Sequence, residues 1–376
     1  MAPEPSRAVG QRLTALRQIH GLTQGDLAGR LGVTQSFLSH ITRGARPVPD
    51  SLVIDASREF GLPVSFFTIQ QTPTEMGPVT FRKSSRASAR DESRVVALYD
   101  EAARVFRSVS KQSEYHAADL PDPADYADDP ELVADAMRAA AGLGQKDPVL
   151  NATRALERFG IGVIDNLDHL SDDFRGHTAI SRPSRFNDRP LVALVADIPG
   201  AVKRLTVLHE AGHLIFDRDL SGPVSGTRSV EERRAYKFAG AYLLPEKVLR
   251  LRVSETLNLH GYLPIKADYG ISVGAIIIRA RDLGVISANR ARSLQIQLSS
   301  QGWRNNEPVP VADEKPVLLS QALRKVYGKQ AAARAAHDLG AAPGWINQWI
   351  HSAAETSMPE LGKVIDFAAA SARRAG

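Results

Sequence analysis

The chain has 376 residues, of which 43% are hydrophobic and 24% are charged. This composition is typical of globular proteins and the length corresponds to two or three domains, so a fibrous or wholly disordered chain is excluded. No run of about 18 apolar residues is present and the first residues lack the apolar core of a signal peptide, so neither a membrane span nor export is predicted. The absence of cysteine excludes disulfides, thiol nucleophiles and Cys-ligated metal centres, and fits a cytoplasmic location. A formal net charge of +5 permits nucleic-acid binding without arguing for it.

Three stretches rich in Pro, Gly, Asp or Asn interrupt the chain at 61–78, 118–131 and 301–316. Between them helical periodicity dominates, except in two Val- and Ile-rich runs, 161–165 and 191–198, which predict strands. We therefore expect a multidomain, mainly α protein with a small sheet in its α+β centre. The predicted parts are an N-terminal domain (1–70), a central domain (71–300, core about 145–250), a linker (301–316) and a helical C-terminal domain (317–376).

The N-terminal part contains LTQGDLAGRLGVTQSFLSHITRG, in which Thr23 and Thr34 are placed to cap two short helices and Gly32 to make the turn between them. Two short helices joined by a Gly turn, the second with a polar outer face, are typical of a helix-turn-helix. Together with the following RPVPDSLVIDASREFGLP, this segment resembles the XRE, or Cro/repressor-type, DNA-binding family. The resemblance implies a five-helix bundle.

In a helix-turn-helix the first residues of the second helix enter the major groove, so Gln35 and Ser36 are predicted to reach base edges. The full predicted DNA-contacting set is Gln24, Thr34, Gln35, Ser36, Ser39, Arg43 and Arg46. Within it, Gln24 and the two arginines are expected on phosphates. The expected partner is a palindromic operator bound by a homodimer. A bundle used only for dimerisation or protein docking is the alternative, and the Thr-Gln pair at both helix starts argues against it.

The central part contains RLTVLHEAGHLIF over 204–216. His209 and His213 are four residues apart, so on a helix they share one face and can bind one metal ion. Without cysteine, His and carboxylate are the available ligands, and zinc suits them. Glu210 is placed to take a proton from a water that the zinc activates and to pass it to the leaving amine. The alternative is a pair of histidines in an ordinary core.

A third ligand is predicted in EERRAYKFAGAYLLPEKV, residues 231–248. Its helical period places Glu232 on the apolar face, while Glu231 lies about 100° away and is expected in solvent. A buried carboxylate needs a partner, and a metal ion is a suitable one.

The segments RLTVLHEAGHLIF and ERRAYKFAGAYLLP resemble the ImmA/IrrE metallopeptidase family, and the resemblance extends over about 79–298. It implies a zincin-like domain with zinc as cofactor, metal ligands His209, His213 and Glu232, catalytic base Glu210, and LVALVAD at the edge of the sheet. The chain departs from the family pattern at Arg234, where Glu is frequent, and at Tyr236, where Asn or Asp is frequent. The second departure predicts loss of a hydrogen bond that orients a ligand.

Two further assignments stay open at the level of sequence. Tyr242, Tyr262 and His260 are candidates for stabilising an oxyanion, and His177 is interpreted as structural. In the C-terminal part, GKQAAARAAHDLGAAPGWINQWI aligns with the N-terminal helix-turn-helix through Leu339-Gly340. This alignment suggests a degenerate second unit with Asn347 and Gln348 on its outer face. A helical tail whose tryptophans fill a core is the alternative.

Enzymes of the ImmA/IrrE type cleave XRE-type repressors, and here both modules share one chain. The resemblances therefore favour a DNA-binding transcriptional regulator that carries a zinc metallopeptidase domain and cleaves a repressor-type protein. The expected substrate is a repressor encoded nearby, or a second copy of this chain cut at 61–78 or 301–316, with the peptide paired to LVALVAD. The alternative is a transcription factor whose central domain is a non-catalytic sensor or dimerisation unit, because a structural zinc would need the same ligands.

Overall fold

The structure is a computed structural model. It describes residues 5–69, 77–83, 88–168, 177–195, 197–220, 222, 229–350 and 367. The described chain is mainly helical with one small sheet, as the sequence predicts. None of the helices in these ranges combines the length and the apolar character needed to cross a membrane.

Five helices form the predicted N-terminal helix-turn-helix bundle. They are α1 (Pro5–Ile19), α2 (Gln24–Arg30), α3 (Gln35–Thr42), α4 (Asp50–Phe60) and α5 (Ser65–Thr68). The hydroxyl of Thr23 accepts a hydrogen bond from the amide of Asp26, whose carboxylate in turn accepts one from the amide of Thr23. The hydroxyl of Thr34 accepts one from the amide of Phe37. Between α2 and α3, Gly32 has a φ of +64°, a left-handed conformation that glycine adopts without steric cost.

The central region contains four strands and nine described α-helices. The strands are β1 (Thr80–Lys83), β2 (Gly162–Ile164), β3 (His177–Ser181) and β4 (Leu191–Leu194). The helices are α6 (Ala89–Gln112), α7 (Pro130–Ala140), α8 (Ala152–Arg158), α9 (Gly200–Phe216), α10 (Val230–Leu243), α11 (Glu246–Arg252), α12 (Leu263–Tyr269), α13 (Val273–Asp282) and α14 (Ala288–Ser300). The two predicted strands correspond to β2 and β4.

The strands form one sheet in the order β1-β3-β4-β2. Neighbours are antiparallel except β2 and β4, which are parallel. The expectation that LVALVAD lies at the sheet edge is wrong, because β3, which the sequence did not reveal, pairs with the open side of β4. Among the described strands, β1 and β2 are the edges. Thr80 of β1 lies opposite Ser181 of β3.

The sheet separates two apolar cores. Alternate residues such as Val192 and Leu194 face the core around α9 and α10, whereas Leu191 and Ala193 face the second core. The second core also contains side chains from α1 to α5, from α6 and from the C-terminal helices. The N-terminal bundle therefore shares its core with the rest of the chain and is packed firmly against it.

The C-terminal helices are α15 (Leu318–Tyr327), α16 (Ala331–Asp338) and α17 (Pro343–Trp349). Gly340, with a φ of +55°, lies between α16 and α17, as Gly32 lies between α2 and α3. The described unit thus has the helix-turn-helix order that the alignment suggests. The later part of the alignment, residues 358–370, and the tail Ser371–Arg374 lie outside the described residues, apart from Phe367.

In the C-terminal unit one face of α17, the helix that aligns with α3, packs against the rest of the protein, while Pro343, Gly344 and Asn347 are exposed. The indole N–H of Trp349 donates to the carbonyl of Leu167, and the amide of Gln348 donates to the carbonyl of Asn166. The ring of Trp345 packs edge-on against Phe66 of α5, with ring centroids 6.1 Å apart. Of the two residues expected on the outer face, Asn347 is exposed and Gln348 is held by the central region.

The segment 301–316, predicted to be a linker, is attached to the central region at its C-terminal end. Glu314 is 5% exposed and accepts hydrogen bonds from the amides of Ala152 and Thr153 at the start of α8. Arg204 of α9 forms an ion pair with the same carboxylate. Because Glu314 and its partners are buried, a peptidase cannot reach the chain at Glu314.

We expect Glu314→Ala to lower the free energy of unfolding by about 3–5 kcal/mol, because it leaves the buried guanidinium of Arg204 without its counter-charge and two helix-terminal amides without their acceptor. Denaturant unfolding at neutral pH measures this. Glu246→Ala is the matched control, since Glu246 forms an exposed pair with Arg250 four residues later and such pairs contribute about 0.3–0.5 kcal/mol. Equal effects of the two substitutions would show that Glu314 does not anchor the segment.

Candidate metal centre and nucleic-acid interface

The two histidines of the central motif lie on α9, a helix that is buried along most of its length. The close approach of α10 depends on Gly212, between Glu210 and His213. A Cβ at Gly212 would lie 2.9 Å from the Cα of Ala235 on α10, which is tighter than side chains tolerate. The absence of a side chain there allows the helices to touch. This contact places Glu232, one turn before Ala235, beside both histidines.

His209, His213 and Glu232 form a buried group whose ligand atoms lie within 4.8 Å of one another. Nε2 of His209 is 3.2 Å from Nε2 of His213, and these atoms are 3.3 and 3.4 Å from the two oxygens of Glu232. Tetrahedral zinc with ligand distances of about 2.0–2.1 Å separates its ligands by about 3.3–3.4 Å. The donor types and their spacing therefore fit a zinc ion.

The orientation of His213 is set by Asp217, the residue after the end of α9. Nδ1 of His213 donates to Oδ2 of Asp217 at 2.6 Å, and Arg234 of α10 pairs with the other oxygen of that carboxylate. A proton on Nδ1 leaves the lone pair of Nε2 available to a metal. Asp217 is not among the residues predicted from the sequence, although its spacing of four from His213 is the signal that could have indicated it. The unusual Arg234 has a clear role here, because it holds Asp217.

The charges of this group depend on one another. Burial lowers the pKa of His213, but the hydrogen bonds that its ring donates to Asp217 and Glu232 outweigh burial and raise the pKa to about 10. Burial lowers the pKa of His209. Burial would raise the pKa of Glu232, but its hydrogen bonds with the two histidines dominate and lower the pKa to about 2. A metal ion bound at Nε2 of His213 would have to displace a proton from this histidine. The ring of the second unusual residue, Tyr236, packs against His209 with centroids 4.3 Å apart.

Glu210 is fully buried beside this group and is held by hydroxyls of the sheet. Oγ of Ser181 donates to Oε2 of Glu210 at 2.7 Å, and Oγ1 of Thr80 lies 2.7 Å from Oγ of Ser181 and 3.4 Å from Oε2. The other oxygen, Oε1, has no hydrogen-bond partner among the described residues. The carboxylate is thus fixed through one oxygen and keeps the other available. Neither hydroxyl is predicted from the sequence, because the patterns of β1 and β3 do not reveal these strands.

The structure does not bring the three oxyanion candidates to this group. Tyr242 lies ten residues after Glu232 on α10, which corresponds to about 15 Å along the helix axis. The hydroxyls of Tyr242 and Tyr262 are buried in the core without hydrogen-bond partners among the described residues. The ring of His260 packs on Trp303. His177 begins β3.

On the N-terminal bundle, most of the predicted DNA-contacting residues lie on the open side of α3. The exposed ones are Thr34, Gln35, Ser36, Arg43 and Arg46. Gln24 and Ser39 are half-buried: the amide of Gln24 donates to the hydroxyl of Thr42 at 3.5 Å, and Arg43 donates to the hydroxyl of Ser39. The start of α3 therefore presents polar side chains to solvent, which is the geometry that major-groove reading requires.

Comparisons with known families agree with this two-part structure. Residues 8–64 match the model of the helix-turn-helix domain, and residues 157–281 match that of the IrrE N-terminal-like domain. The chain thus joins a DNA-binding domain of the helix-turn-helix class to a metallopeptidase-like domain, and both sequence resemblances are confirmed. Comparisons with curated proteins and with solved structures give no significant match.

We expect Asp217→Ala to lower the affinity of the centre for Zn²⁺ by about 10–100-fold, because the substitution frees the ring of His213 and removes the acceptor that fixes its tautomer. Competition with a chromophoric chelator measures this affinity. Glu231→Ala is the control, since Glu231 is also acidic and adjacent to Glu232 but only half-buried. Wild-type zinc affinity of Asp217→Ala would contradict the orienting role.

Proposed function

We propose that this protein is a transcriptional regulator that binds an operator through α3 and cleaves a repressor-type protein with a zinc-dependent endopeptidase centre in the same chain. The observation that carries the proposal is the position of Glu210. Its carboxylate lies beside the donor group of His209, His213 and Glu232, and one of its oxygens keeps no partner among the described residues.

The residues of the centre have separate roles in this proposal. His209, His213 and Glu232 hold zinc, which when bound polarises a peptide carbonyl and lowers the pKa of water. Glu210 accepts the proton of the attacking water at Oε1 and transfers it to the leaving amine. Ser181 keeps the carboxylate in place during both transfers, because its hydroxyl occupies Oε2.

The proposed substrate is an extended segment of a repressor-type protein, and the edge of β1 is the best docking place in the described sheet. Among the described strands β1 pairs only with β3, so its other edge can accept a peptide strand. Thr80 of β1 lies 3.4 Å from the carboxylate of Glu210. A peptide added to β1 would therefore pass close to Glu210. Docking on β1 replaces the docking on LVALVAD that the sequence predicts.

The competing function is a transcription factor whose central domain is a sensor or a dimerisation unit. The buried contacts of α5 and α6 with the C-terminal helices support this alternative, because they connect the DNA-binding bundle firmly to the central region. The two functions differ in the need for Glu210. A structural or sensory zinc site uses the three ligands and has no use for a base.

We expect Glu210→Gln to lower cleavage of a repressor-type substrate at least about 10²-fold, because the amide fits the same space and cannot accept the proton. Zinc content, the unfolding transition and operator affinity should stay as in the wild type. Cleavage is measured on purified XRE-type repressors encoded near the gene and on the chain itself, with fragments identified by mass spectrometry. Glu231→Gln, the same change at a residue outside the centre, is the control.

The sensor alternative gains support if cells that carry the Glu210→Gln variant regulate the genes controlled by this protein normally, and if no repressor fragment is found in wild-type cells. If the wild type retains no zinc, the metal assignment itself fails. These two results are separate, because metal analysis requires no substrate.

We expect Gln35→Ala to weaken binding to the cognate operator by about 1–3 kcal/mol with little effect on random duplex DNA, because the amide reads a base edge. Arg43→Ala should weaken binding to both DNAs equally and reduce the salt slope by about 1, because a phosphate contact carries no sequence information. Fluorescence anisotropy at several salt concentrations measures both. An equal loss on the two DNAs for Gln35→Ala would reassign Gln35 to the backbone.

A further inference from the structure

An open groove runs between the start of α2 in the DNA-binding bundle and the start of α6 in the central region. Arg17, Thr23 and Gln24 line it on the side of the bundle, and Arg90 and Ser93 line it on the side of α6. The described residues of this lining include two arginines and no carboxylate. The groove therefore offers positive charge and polar side chains from two parts of the chain.

The groove lies beside the predicted base-reading residues of α3. Gly25, the second residue of α2, shows this, because a Cβ built on it would lie 3.7 Å from Oε1 of Gln35. The side chain of Gln35 therefore reaches the start of α2, where Thr23 and Gln24 line the groove. In a helix-turn-helix bound to DNA, the helix before the recognition helix crosses the phosphate backbone. A duplex whose bases contact Gln35 consequently brings its backbone to this groove.

Arg90 of α6 approaches the bundle at Gly21, in the turn between α1 and α2. A Cβ built on Gly21 would lie 3.5 Å from Nε of Arg90. The guanidinium therefore lies over this turn, three residues before Gln24, while Arg90 as a whole is exposed. Hydrogen bonds with Thr23 lower the pKa of the exposed Asp26, and the charge of Arg90 adds a smaller effect. That carboxylate accepts a hydrogen bond from the amide of Thr23 and does not line the groove.

The second arginine of the groove, Arg17, is oriented by a neutral group. Its Nη1 donates to the carbonyl of Leu22 at 3.2 Å. A carbonyl fixes a guanidinium without cancelling its charge, and guanidinium groups are well suited to phosphate oxygens. Arginines from two different elements thus face one groove, at the place where the DNA backbone is expected.

We propose that Arg90 and Arg17 bind a phosphate of the operator backbone, so that the DNA interface extends from the bundle into the central region. The proposal rests on the DNA-binding half of the proposed function. It assigns a DNA contact to α6, which lies outside the matched helix-turn-helix domain, residues 8–64.

The extended interface involves the same two helices that are joined inside the protein. Helix α6 carries Glu101, which forms a buried ion pair with Arg12 of α1. Arg90 lies near the start of α6, and Arg17 lies in the last turn of α1. A phosphate bound by both arginines would therefore connect α1 and α6 at the surface as well. DNA binding would hold the bundle and the central region in the arrangement that the buried pair specifies.

The test measures DNA binding by the full-length protein with fluorescence anisotropy at several salt concentrations. The probes are a random-sequence duplex and a duplex that the wild type selects from a randomised pool. Arg90→Ala should reduce the salt slope by about 1 on both duplexes, because one phosphate contact fewer releases counterions. At about 0.1 M salt this change corresponds to about 5–10-fold weaker binding. Arg90→Lys, which keeps the charge, should retain most of the slope.

A methylphosphonate, which replaces one phosphate of the selected duplex by a neutral group, locates the contact. At one position it should weaken binding of the wild type and have little further effect on Arg90→Ala, because the two changes remove the same interaction. Additive losses at every position would overturn the proposal.

Arg292→Ala is the matched control, since Arg292 is an exposed arginine on α14, outside the groove. An equal change of slope in this variant would show diffuse attraction and would overturn the site, as would an unchanged slope in Arg90→Ala. If the wild type binds the selected duplex and Gln35→Ala weakens that binding specifically, only the extension fails. If the wild type binds neither duplex, the DNA-binding half of the proposed function fails with it. None of these measurements depends on zinc or on proteolysis.

Discussion

The position of the DNA-binding bundle on the central region depends on one buried ion-pair group, centred on Glu101 of α6. This carboxylate binds Arg12 of α1 and Arg104 of its own helix, and both it and Arg12 are almost inaccessible to solvent. Burial alone would raise the pKa of Glu101, but the two arginines outweigh it and lower the pKa. Removing one partner of such a pair leaves an uncompensated charge, which costs about 3–5 kcal/mol. The pair therefore specifies how the DNA-binding bundle is attached.

The guanidinium of Arg12 also stacks on Phe66 of α5, with its central carbon 3.7 Å from the ring centroid, and donates to the carbonyl of the same residue. On the other side of α5, Gly340 approaches so closely that a Cβ would lie 2.9 Å from the amide of Phe66. The short helix α5 is thus held between α1 and the C-terminal unit. The C-terminal helices therefore support the DNA-binding bundle, because their tryptophans lie in a core that the two share.

The sequence predicted those features that depend on local spacing. The caps of α2 and α3 need only a Thr and the amides two or three residues later, and the pairing of His209 with His213 follows from the helical period. The inward phase of Glu232 is local in the same way. The close approach of α10 to α9 depends on Gly212 and Ala235, which meet across 23 residues of sequence. The resemblance to a known family supplied that part of the prediction.

Contacts between distant segments escaped prediction for a physical reason. Thr80 and Ser181 are 101 residues apart, and they meet only because two short, weakly patterned strands pair beside β4. An isolated strand of four residues carries too little alternation to reveal its register. The same reason applies to Glu314, which the composition of its segment placed in a linker and which caps α8 from 162 residues away.

The cost of burying Glu210 separates the two possible uses of the metal centre. A buried polar atom without a partner costs about 1–3 kcal/mol, and more when it is charged. Oε1 of Glu210 is such an atom among the described residues, and Glu210 is not part of the donor group. A centre that only stabilises the fold gains nothing from this carboxylate, since an amide or an apolar side chain in the same space would avoid the cost. Hydrolysis, in contrast, requires a base with a free oxygen beside the metal, which is what the hydroxyl of Ser181 maintains by occupying the other oxygen. The geometry of Glu210 is therefore what the proposed hydrolysis requires, and a purely structural zinc site would have no use for it.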